Sequence, residues 1–139
     1  YGFAFISLRM DYGSTWEGSV KISNCTWVPG DNGYGLSPVF LTYNNSMHDF
    51  GYKCYMPAKI EIDDLYIDDS SITNPAHKLY FFTDPSMNDR ERLPKYSERP
   101  YLYEPCKRLI YKDLKVKGNR QISISQDLAF FKSMKVEAL

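Results

Sequence analysis

One loop of the sequence carries the residue types that acid–base chemistry needs. His48 and Asp49 are adjacent there, and Tyr52 follows them closely. A histidine titrates near neutral pH, so His48 suits a general base, and a neighbouring carboxylate orients or charges its imidazole. The same loop also fits a plain turn, because an Asp-aromatic-Gly sequence occurs both at 49–51 and at 11–13. His48 and Asp49 are therefore candidate catalytic residues, with loop architecture as the alternative interpretation.

Metal-binding chemistry has weaker support in the sequence. Asp31, Asp68 and Asp69 are aspartates in predicted loops, and carboxylate oxygens are ligands that Ca²⁺ prefers. Calcium takes six or more oxygens, and these three residues do not define such a set. No Cys/His spacing resembles a zinc site, and no glycine-rich phosphate loop is present. We expect no cofactor and no metal, with calcium as the one ion that the sequence leaves open.

The three cysteines give two further expectations. Cys25 falls on an apolar position of an alternating segment, which predicts a buried free thiol. Cys54 and Cys106 each precede an alternating segment by a few residues. Because the two preceding loops would then be neighbours, a disulfide between Cys54 and Cys106 is an open alternative to two free thiols.

The length and the charge of the chain limit the classes of protein to which it can belong. The chain has 139 residues, enough for one domain with a sizeable core. Lysine plus arginine equals aspartate plus glutamate, at 17 each, which argues against a nucleic-acid or anionic-membrane surface. No apolar run approaches the roughly 18 residues of a membrane-spanning helix. The first residue is tyrosine, and we expect residues 1–139 to be one domain from the C-terminal part of a longer chain.

The sequence repeats a pattern of two short alternating segments joined at one turn-forming residue. Its clearest copy is 20–28, Val-Lys-Ile-Ser-Asn-Cys-Thr-Trp-Val, where apolar and polar residues alternate on both sides of Asn24. The pattern returns around Asp64, Asp113 and Ser133, at steps of 40, 49 and 20 residues. Alternation of period two is typical of strands, and Asn or Asp tolerates the left-handed backbone of a tight bend. We predict four strand–bend–strand units whose bend residues stack and hydrogen-bond as a ladder.

A third strand is predicted beside these units. Two segments begin 19 residues after the first apolar residue of a unit: Val39–Asn44 and Leu79–Asp84. A third, Gln121–Ser125, follows a shorter connection. The N-terminal segment Phe5–Asp11 resembles these three in its pattern of residues. Long loops flank the earlier strands and shrink toward the C-terminus. The repetition predicts an all-β solenoid of about four coils with three strands per coil. A β-sandwich of short strands is the alternative.

The strand–Asn–strand unit, with Ile22-Ser-Asn-Cys-Thr-Trp27 as its clearest instance, resembles the right-handed parallel β-helix of the pectate lyase and pectin lyase-like superfamily. The resemblance covers nearly the whole chain and lies in the repeat pattern. It implies that the third strands form the floor of a substrate groove walled by loops on both sides. It does not fix an activity, because that superfamily contains lyases, glycoside hydrolases, esterases and non-catalytic proteins. The Gly-His-Gly and Arg-x-Lys motifs of its polygalacturonase-like members are absent from this sequence.

The resemblance, together with strand alternation, selects candidate groove residues. If Ile6/Leu8, Val39/Leu41, Leu79/Phe81 and Ile122/Ile124 point inward, the outward set is Ser7, Arg9, Asp11, Phe40, Thr42, Asn44, Tyr80, Phe82, Asp84, Gln121, Ser123 and Ser125. Aromatic rings suit sugar stacking, which makes Phe40, Tyr80 and Phe82, with Tyr52 from the loop, candidate substrate-binding residues. Arg9 suits a sugar carboxylate. Asp11 and Asp84 would lie about 9–10 Å apart if in register, near the wide limit for an inverting glycosidase pair.

We expect an extracellular or cell-surface β-helix domain that recognises a polysaccharide and, if it is an enzyme, cleaves it as a lyase or a glycoside hydrolase. The expected partner is a polysaccharide, without nucleic acid or membrane, and the oligomeric state is not predicted. The alternative from another class is a structural or adhesive β-helix segment, such as part of a tailspike or surface protein. Substitutions that spare folding and abolish polysaccharide turnover would separate the two.

Overall fold

The structure, a computed structural model, describes residues 3–8, 15–42, 54–84 and 103–139. These residues form β-strands and no helix. The strands are β1 (Ile6–Ser7), β2 (Ser19–Trp27), β3 (Leu36–Leu41), β4 (Cys54–Tyr55), β5 (Lys59–Ile67), β6 (Lys78–Phe82), β7 (Tyr103–Glu104), β8 (Arg108–Val116), β9 (Ile122–Ser123) and β10 (Lys135–Ala138). In this described part of the chain, no helix has the length and apolar character needed to cross a membrane.

The strands form three sheets in which every pairing is parallel. A long-strand sheet has the order β10-β8-β5-β2, a short-strand sheet has the order β1-β3-β6-β9, and β4 pairs with β7 in a two-stranded sheet. Neighbours within each sheet come from successive passes of the chain, because parallel strands cannot be joined by a tight hairpin. The all-β class and the parallel pairing predicted from the repeat are confirmed.

Three of the four predicted bends are confirmed. Asn24, Asp64 and Asp113 have φ angles of 54°, 69° and 53°, in the left-handed region that Asn and Asp tolerate better than other non-glycine residues. Each lies inside a nine-residue strand of the long-strand sheet. The predicted ladder between these side chains is wrong, because within the described residues no hydrogen bond joins them and all three are exposed.

Hydroxyl groups form a ladder elsewhere in the fold. The Oγ1 atoms of Thr42 and Thr83 are 3.0 Å apart, and Ser125 donates its hydroxyl to the Thr83 carbonyl at 3.2 Å. All three residues are buried. These polar groups satisfy one another inside the protein, where an unpaired hydroxyl would be costly. Predicted outward positions for Thr42 and Ser125 are therefore wrong.

The fourth predicted repeat is also wrong. Residues 128–133 form turns, and Ser133 is not among the left-handed residues that the structure describes. Strand β10 begins later, and Val136 pairs with Leu109 instead of occupying the position after a bend. The residues expected to form the first half-strand lie in a turn instead, in which the Met134 N–H donates to the Phe131 carbonyl.

The register of the short-strand sheet pairs Ile6 with Phe40, Ser37 with Leu79, and Leu79 with Ile122. Paired residues of neighbouring parallel strands point to the same face, so Ile6 shares the face of Phe40 and not that of Val39, with which it was predicted to point inward.

Both faces of the short-strand sheet are covered, which overturns the predicted outward orientation of Phe40, Phe82 and Asp84. Phe40 and Phe82 are 0% exposed and Asp84 is 1% exposed. Phe81 lies 5.4 Å from the ring of Tyr111 in β8, whereas Phe82 stacks on Phe131 at 4.7 Å. Successive side chains of a strand point to opposite faces, so these two contacts show cover on each side.

Two cysteines are described as free thiols. Cys106 is fully buried and unpaired, so the disulfide with Cys54 is not formed. The Cys106 thiol donates to the Arg108 carbonyl at 3.0 Å, and burial raises its pKa to about 11. Cys25 is free as predicted but only half-buried, with its thiol 3.2 Å from the Ser23 carbonyl.

Candidate functional site

Several predicted site residues lie outside the described part of the chain. These are His48, Asp49, Asp11, Arg9 and Tyr52. Their roles stay predictions. Of the others, Phe40, Phe82 and Asp84 are core residues, and Tyr80 is half-buried beside Ser123 in the short-strand sheet. The residues that the structure does place therefore do not form one groove.

A cleft lies beside the N-terminal ends of three strands of the long-strand sheet, β2, β5 and β8. It has a volume of about 360 Å³. Its walls come from three stacked segments: Thr15–Gly18, Tyr55–Ala58 and Glu104–Lys107. Each segment leads directly into a strand of the long-strand sheet. The second segment, Tyr55–Ala58, follows His48, Asp49 and Tyr52 in the sequence.

Backbone hydrogen bonds fix the spacing of this cleft. The Trp16 N–H donates to the Tyr55 carbonyl at 2.9 Å, and the Met56 N–H donates to the Glu104 carbonyl at 3.0 Å. The Tyr55 N–H donates to the Thr15 hydroxyl at 3.0 Å. Neighbouring strands bonded in this way lie about 4.8 Å apart. The side chains of the three segments are thus presented at regular steps along the cleft.

The cleft combines aromatic rings with carboxylates. Tyr55 is 45% exposed, Trp16 is half-buried, and Glu17 is exposed. Glu104 is half-buried and Lys107 is exposed. Aromatic faces pack against the C–H face of a sugar ring, and carboxylates accept hydrogen bonds from its hydroxyl groups. This composition suits a carbohydrate better than a small apolar ligand.

Sequence analysis missed this cleft, although a signal was present. Thr15, Tyr55 and Glu104 all stand nine residues before a bend residue, as counting back from Asn24, Asp64 and Asp113 shows. The structure confirms the pairing of Tyr55 with Glu104. Extending the repeat alignment backwards would have placed the three residues in one row. They were missed because the repeat alignment began only four residues before each bend residue.

A second aromatic cleft lies on another side of the fold, in the loop after β2. Phe3 stacks on Tyr34 with ring centroids 4.7 Å apart, and Trp27 and Asp31 complete a cleft of about 310 Å³. Asn32 holds this loop, because its side-chain oxygen accepts from the Tyr34 N–H at 2.8 Å. The side-chain amide of Asn32 donates in turn to the Leu36 carbonyl at 2.8 Å. The side-chain oxygen and amide of Asn32 thus both hydrogen-bond to the backbone of its own loop.

A histidine and a serine meet inside the fold without forming a nucleophilic site. His77 Nε2 and Ser37 Oγ are 2.8 Å apart. Ser37 is 1% exposed and His77 is 3% exposed, so the hydroxyl has no access to a substrate. Burial lowers the pKa of His77, because it disfavours the charged imidazolium. This pair joins two neighbouring passes of the chain and is structural.

The aspartates considered for calcium accept hydrogen bonds from protein groups. Asp31 accepts hydrogen bonds from the backbone and hydroxyl of Thr73, and Asp68 accepts from Ser70. Asp69 accepts from Arg120. Among the described residues, no group of three or more His, Cys, Asp or Glu side chains is arranged to hold a metal ion. These contacts give the three aspartates structural roles.

The chain matches no protein-family model, no curated protein and no solved structure. The resemblance to the pectate lyase-like superfamily therefore gains no support from these comparisons.

Proposed function

We propose that this chain forms a right-handed parallel β-helix that binds a polysaccharide outside the cell. The parallel sheets, with neighbours contributed by successive passes of the chain, support the β-helix architecture. The binding site that we propose is the cleft bordered by Trp16, Tyr55, Glu17, Glu104 and Lys107. The binding of a sugar polymer is the function that this composition supports best.

The exposure of Tyr55 carries the proposal. A tyrosine ring that is 45% exposed in the wall of the cleft offers an aromatic face, and Glu17 and Glu104 line the same cleft. The stacked segments repeat about every 4.8 Å, close to the rise of one sugar unit, so a polymer can contact more than one level. Cleavage of the bound polysaccharide by a lyase or hydrolase mechanism would be an additional activity, with His48 and Asp49 as its catalytic residues.

Polysaccharide binding can be tested by affinity electrophoresis with polygalacturonate, xyloglucan and dextran as probes. We expect retardation by at least one probe and a loss of roughly five- to tenfold in affinity in Tyr55→Ala, the scale of one stacked ring. Tyr66→Ala is the matched control, because Tyr66 is also an exposed tyrosine but lies in β5, away from the cleft.

Two results would overturn the proposal. One is that none of the polysaccharides binds, which would favour the structural or adhesive alternative. The other is that Tyr55→Ala and Tyr66→Ala weaken binding equally, which would place the sugar elsewhere. Circular dichroism of each variant shows whether the fold is retained. Products of cleavage, followed with the same probes in His48→Gln and Asp49→Asn, test the enzymatic step separately.

A further inference from the structure

The proposed polysaccharide site does not use the second cleft, in the loop after β2, which we call the aromatic cleft. Phe3, Trp27 and Tyr34 supply three rings to its space of about 310 Å³. This volume is at the lower end of the roughly 300–1,000 Å³ of ligand pockets, which suits a small ligand. Tyr34 stacks on Phe3 at 4.7 Å and is still 52% exposed, so its ring also offers surface to a ligand.

Asp31 gives the aromatic cleft a negative charge. Among the described residues that line the cleft, Asp31 alone has a charged side chain. Within the described part of the chain, no lysine or arginine forms an ion pair with it. Hydrogen bonds, first from the Thr73 hydroxyl, lower the pKa of Asp31 and favour its ionised form. The pKa of the neighbouring His77 is also lowered, so above about pH 7 its imidazole leaves this charge uncancelled.

The hydrogen-bonding side chains of this loop are already engaged by the protein. Asp31 accepts from the backbone and the hydroxyl of Thr73. Asn32 accepts from the Tyr34 N–H at 2.8 Å and donates to the Leu36 carbonyl at 2.8 Å. A sugar or a primary ammonium ion needs hydrogen-bond partners in its site, whereas a quaternary ammonium ion has no N–H to donate. Aromatic faces with a nearby negative charge are the surroundings that suit the quaternary ion.

We propose that the aromatic cleft binds a quaternary ammonium group, of which the trimethylammonium group of choline is the simplest probe. A cation within about 6 Å of a ring centroid is attracted by the negative face of the ring, and tryptophan attracts it most strongly. Asp31 adds the attraction of a full charge. The hydrogen bonds of Asp31 and Asn32 fix the loop before a ligand arrives, which lowers the entropic cost of binding.

This site is separate from the proposed sugar-binding cleft. The two clefts share no lining residue among those that the structure describes. The inference does not depend on the proposed function. Tyr55→Ala is expected to bind choline as the unsubstituted chain does, so failure of either proposal is distinguishable from failure of the other.

The test follows the indole N–H signals of the two tryptophans by NMR during a titration with choline chloride at about pH 7.5, where histidine is largely uncharged. Loss of one signal in Trp16→Phe assigns the other to Trp27. We expect a saturable shift of the Trp27 signal and none with sodium chloride at equal concentration. The uncharged analogue 3,3-dimethylbutan-1-ol has the same shape and is expected to bind about fivefold more weakly or worse.

Two pairs of variants separate the contribution of the ring from that of the charge. Tyr34→Leu keeps an apolar side chain without the ring, and Tyr66→Leu is its control at an exposed tyrosine that does not line the cleft. Asp31→Asn removes the charge and keeps an oxygen that accepts from Thr73. Asp113→Asn is its control, at a bend with a φ of 53° that Asn tolerates. We expect choline binding to weaken by about three- to tenfold in each cleft variant and by less than about twofold in each control.

Several results would overturn the inference. Equal affinity for choline and the uncharged alcohol would mean ordinary hydrophobic binding. Unchanged choline binding in a folded Tyr34→Leu and in Asp31→Asn would exclude both proposed contacts. A Trp27 shift with glucose and none with choline would make the cleft a second sugar site.

The same ammonium group occurs in free choline and in the headgroup of phosphatidylcholine. Co-sedimentation with phosphatidylcholine vesicles, and not with phosphatidylglycerol vesicles, would identify the lipid headgroup as the source. Choline binding without co-sedimentation would identify a free small molecule. Both results agree with the proposed ligand chemistry, and the absence of binding to choline and to the vesicles contradicts it.

Discussion

Arg120 donates a hydrogen bond of 2.9 Å to the carboxylate of Asp69, and only 2% of Asp69 is exposed to solvent. The guanidinium also donates to the carbonyls of His77 and Asn74. Asp69 and Arg120 come from successive passes of the chain, so this ion pair ties two stacked loops together. Burial disfavours the charge on Asp69, but the bonds from Arg120 and the Gly118 N–H outweigh it and lower the pKa of Asp69.

Gly118→Ala is predicted to disrupt this network. An added Cβ atom at Gly118 would lie 2.7 Å from Asp69 Oδ2, and the carboxylate cannot retreat without losing its bonds to Arg120 and to the Gly118 N–H. We expect a loss of about 2–3 kcal/mol in the free energy of unfolding, measured by urea denaturation. Gly33→Ala is the control, because nothing lies within 4 Å of its added Cβ. Equal stability of the two variants would contradict the proposed role of the network.

Substitution of the bend residue Asp64 is predicted to depend on backbone preference rather than charge. Asp64 has a φ of 69°, which a β-branched residue adopts with strain. We expect Asp64→Val to lower the free energy of unfolding by about 1–2 kcal/mol or more and Asp64→Gly to be neutral or stabilising. Asp63→Val, one residue earlier in the same strand, is expected to be tolerated. A similar loss in Asp64→Gly would show that the carboxylate matters instead.

The pH dependence of stability is predicted to report on His77. Its pKa in the folded state is below the ordinary value of 6.5 because of burial. The unfolded chain therefore binds the proton more readily, so the contribution of His77 to stability is constant above about pH 6.5 and falls as the pH drops below it. His77→Gln should flatten the profile of unfolding free energy between about pH 7 and pH 5. The sequence has two histidines, and His48→Gln is the matched control that should keep the slope.

Phe82→Ala is predicted to destabilise the fold rather than to weaken ligand binding. Its ring is fully buried between Phe40 at 5.5 Å and Phe131 at 4.7 Å. Removing a ring from such a core costs about 3–5 kcal/mol, because the cavity closes only in part. Thermal denaturation and polysaccharide binding are measured together. A stable variant with lost binding would restore the sequence-based assignment of Phe82 to a substrate groove.

The sequence by itself determined the local form of the long strands. The alternation around Asn24, Asp64 and Asp113 identified three bends and the inward positions on either side of them, since period-two alternation and left-handed backbone are local properties. The all-β class followed from the same signal. The fourth copy failed because Ala129 and Phe131 satisfied the apolar pattern while belonging to a turn.

Only the tertiary structure decided which faces are covered and which residues meet. Alternation states that Phe81 and Phe82 point to opposite sides, but not that Tyr111 covers one and Phe131 the other. For Tyr55 the repeat indicates that Glu104 is its neighbour, but the exposure of its ring and the cleft that it lines with Trp16 are seen only in the structure. The physical reason is that contacts between passes depend on loop lengths and register, which no local pattern encodes.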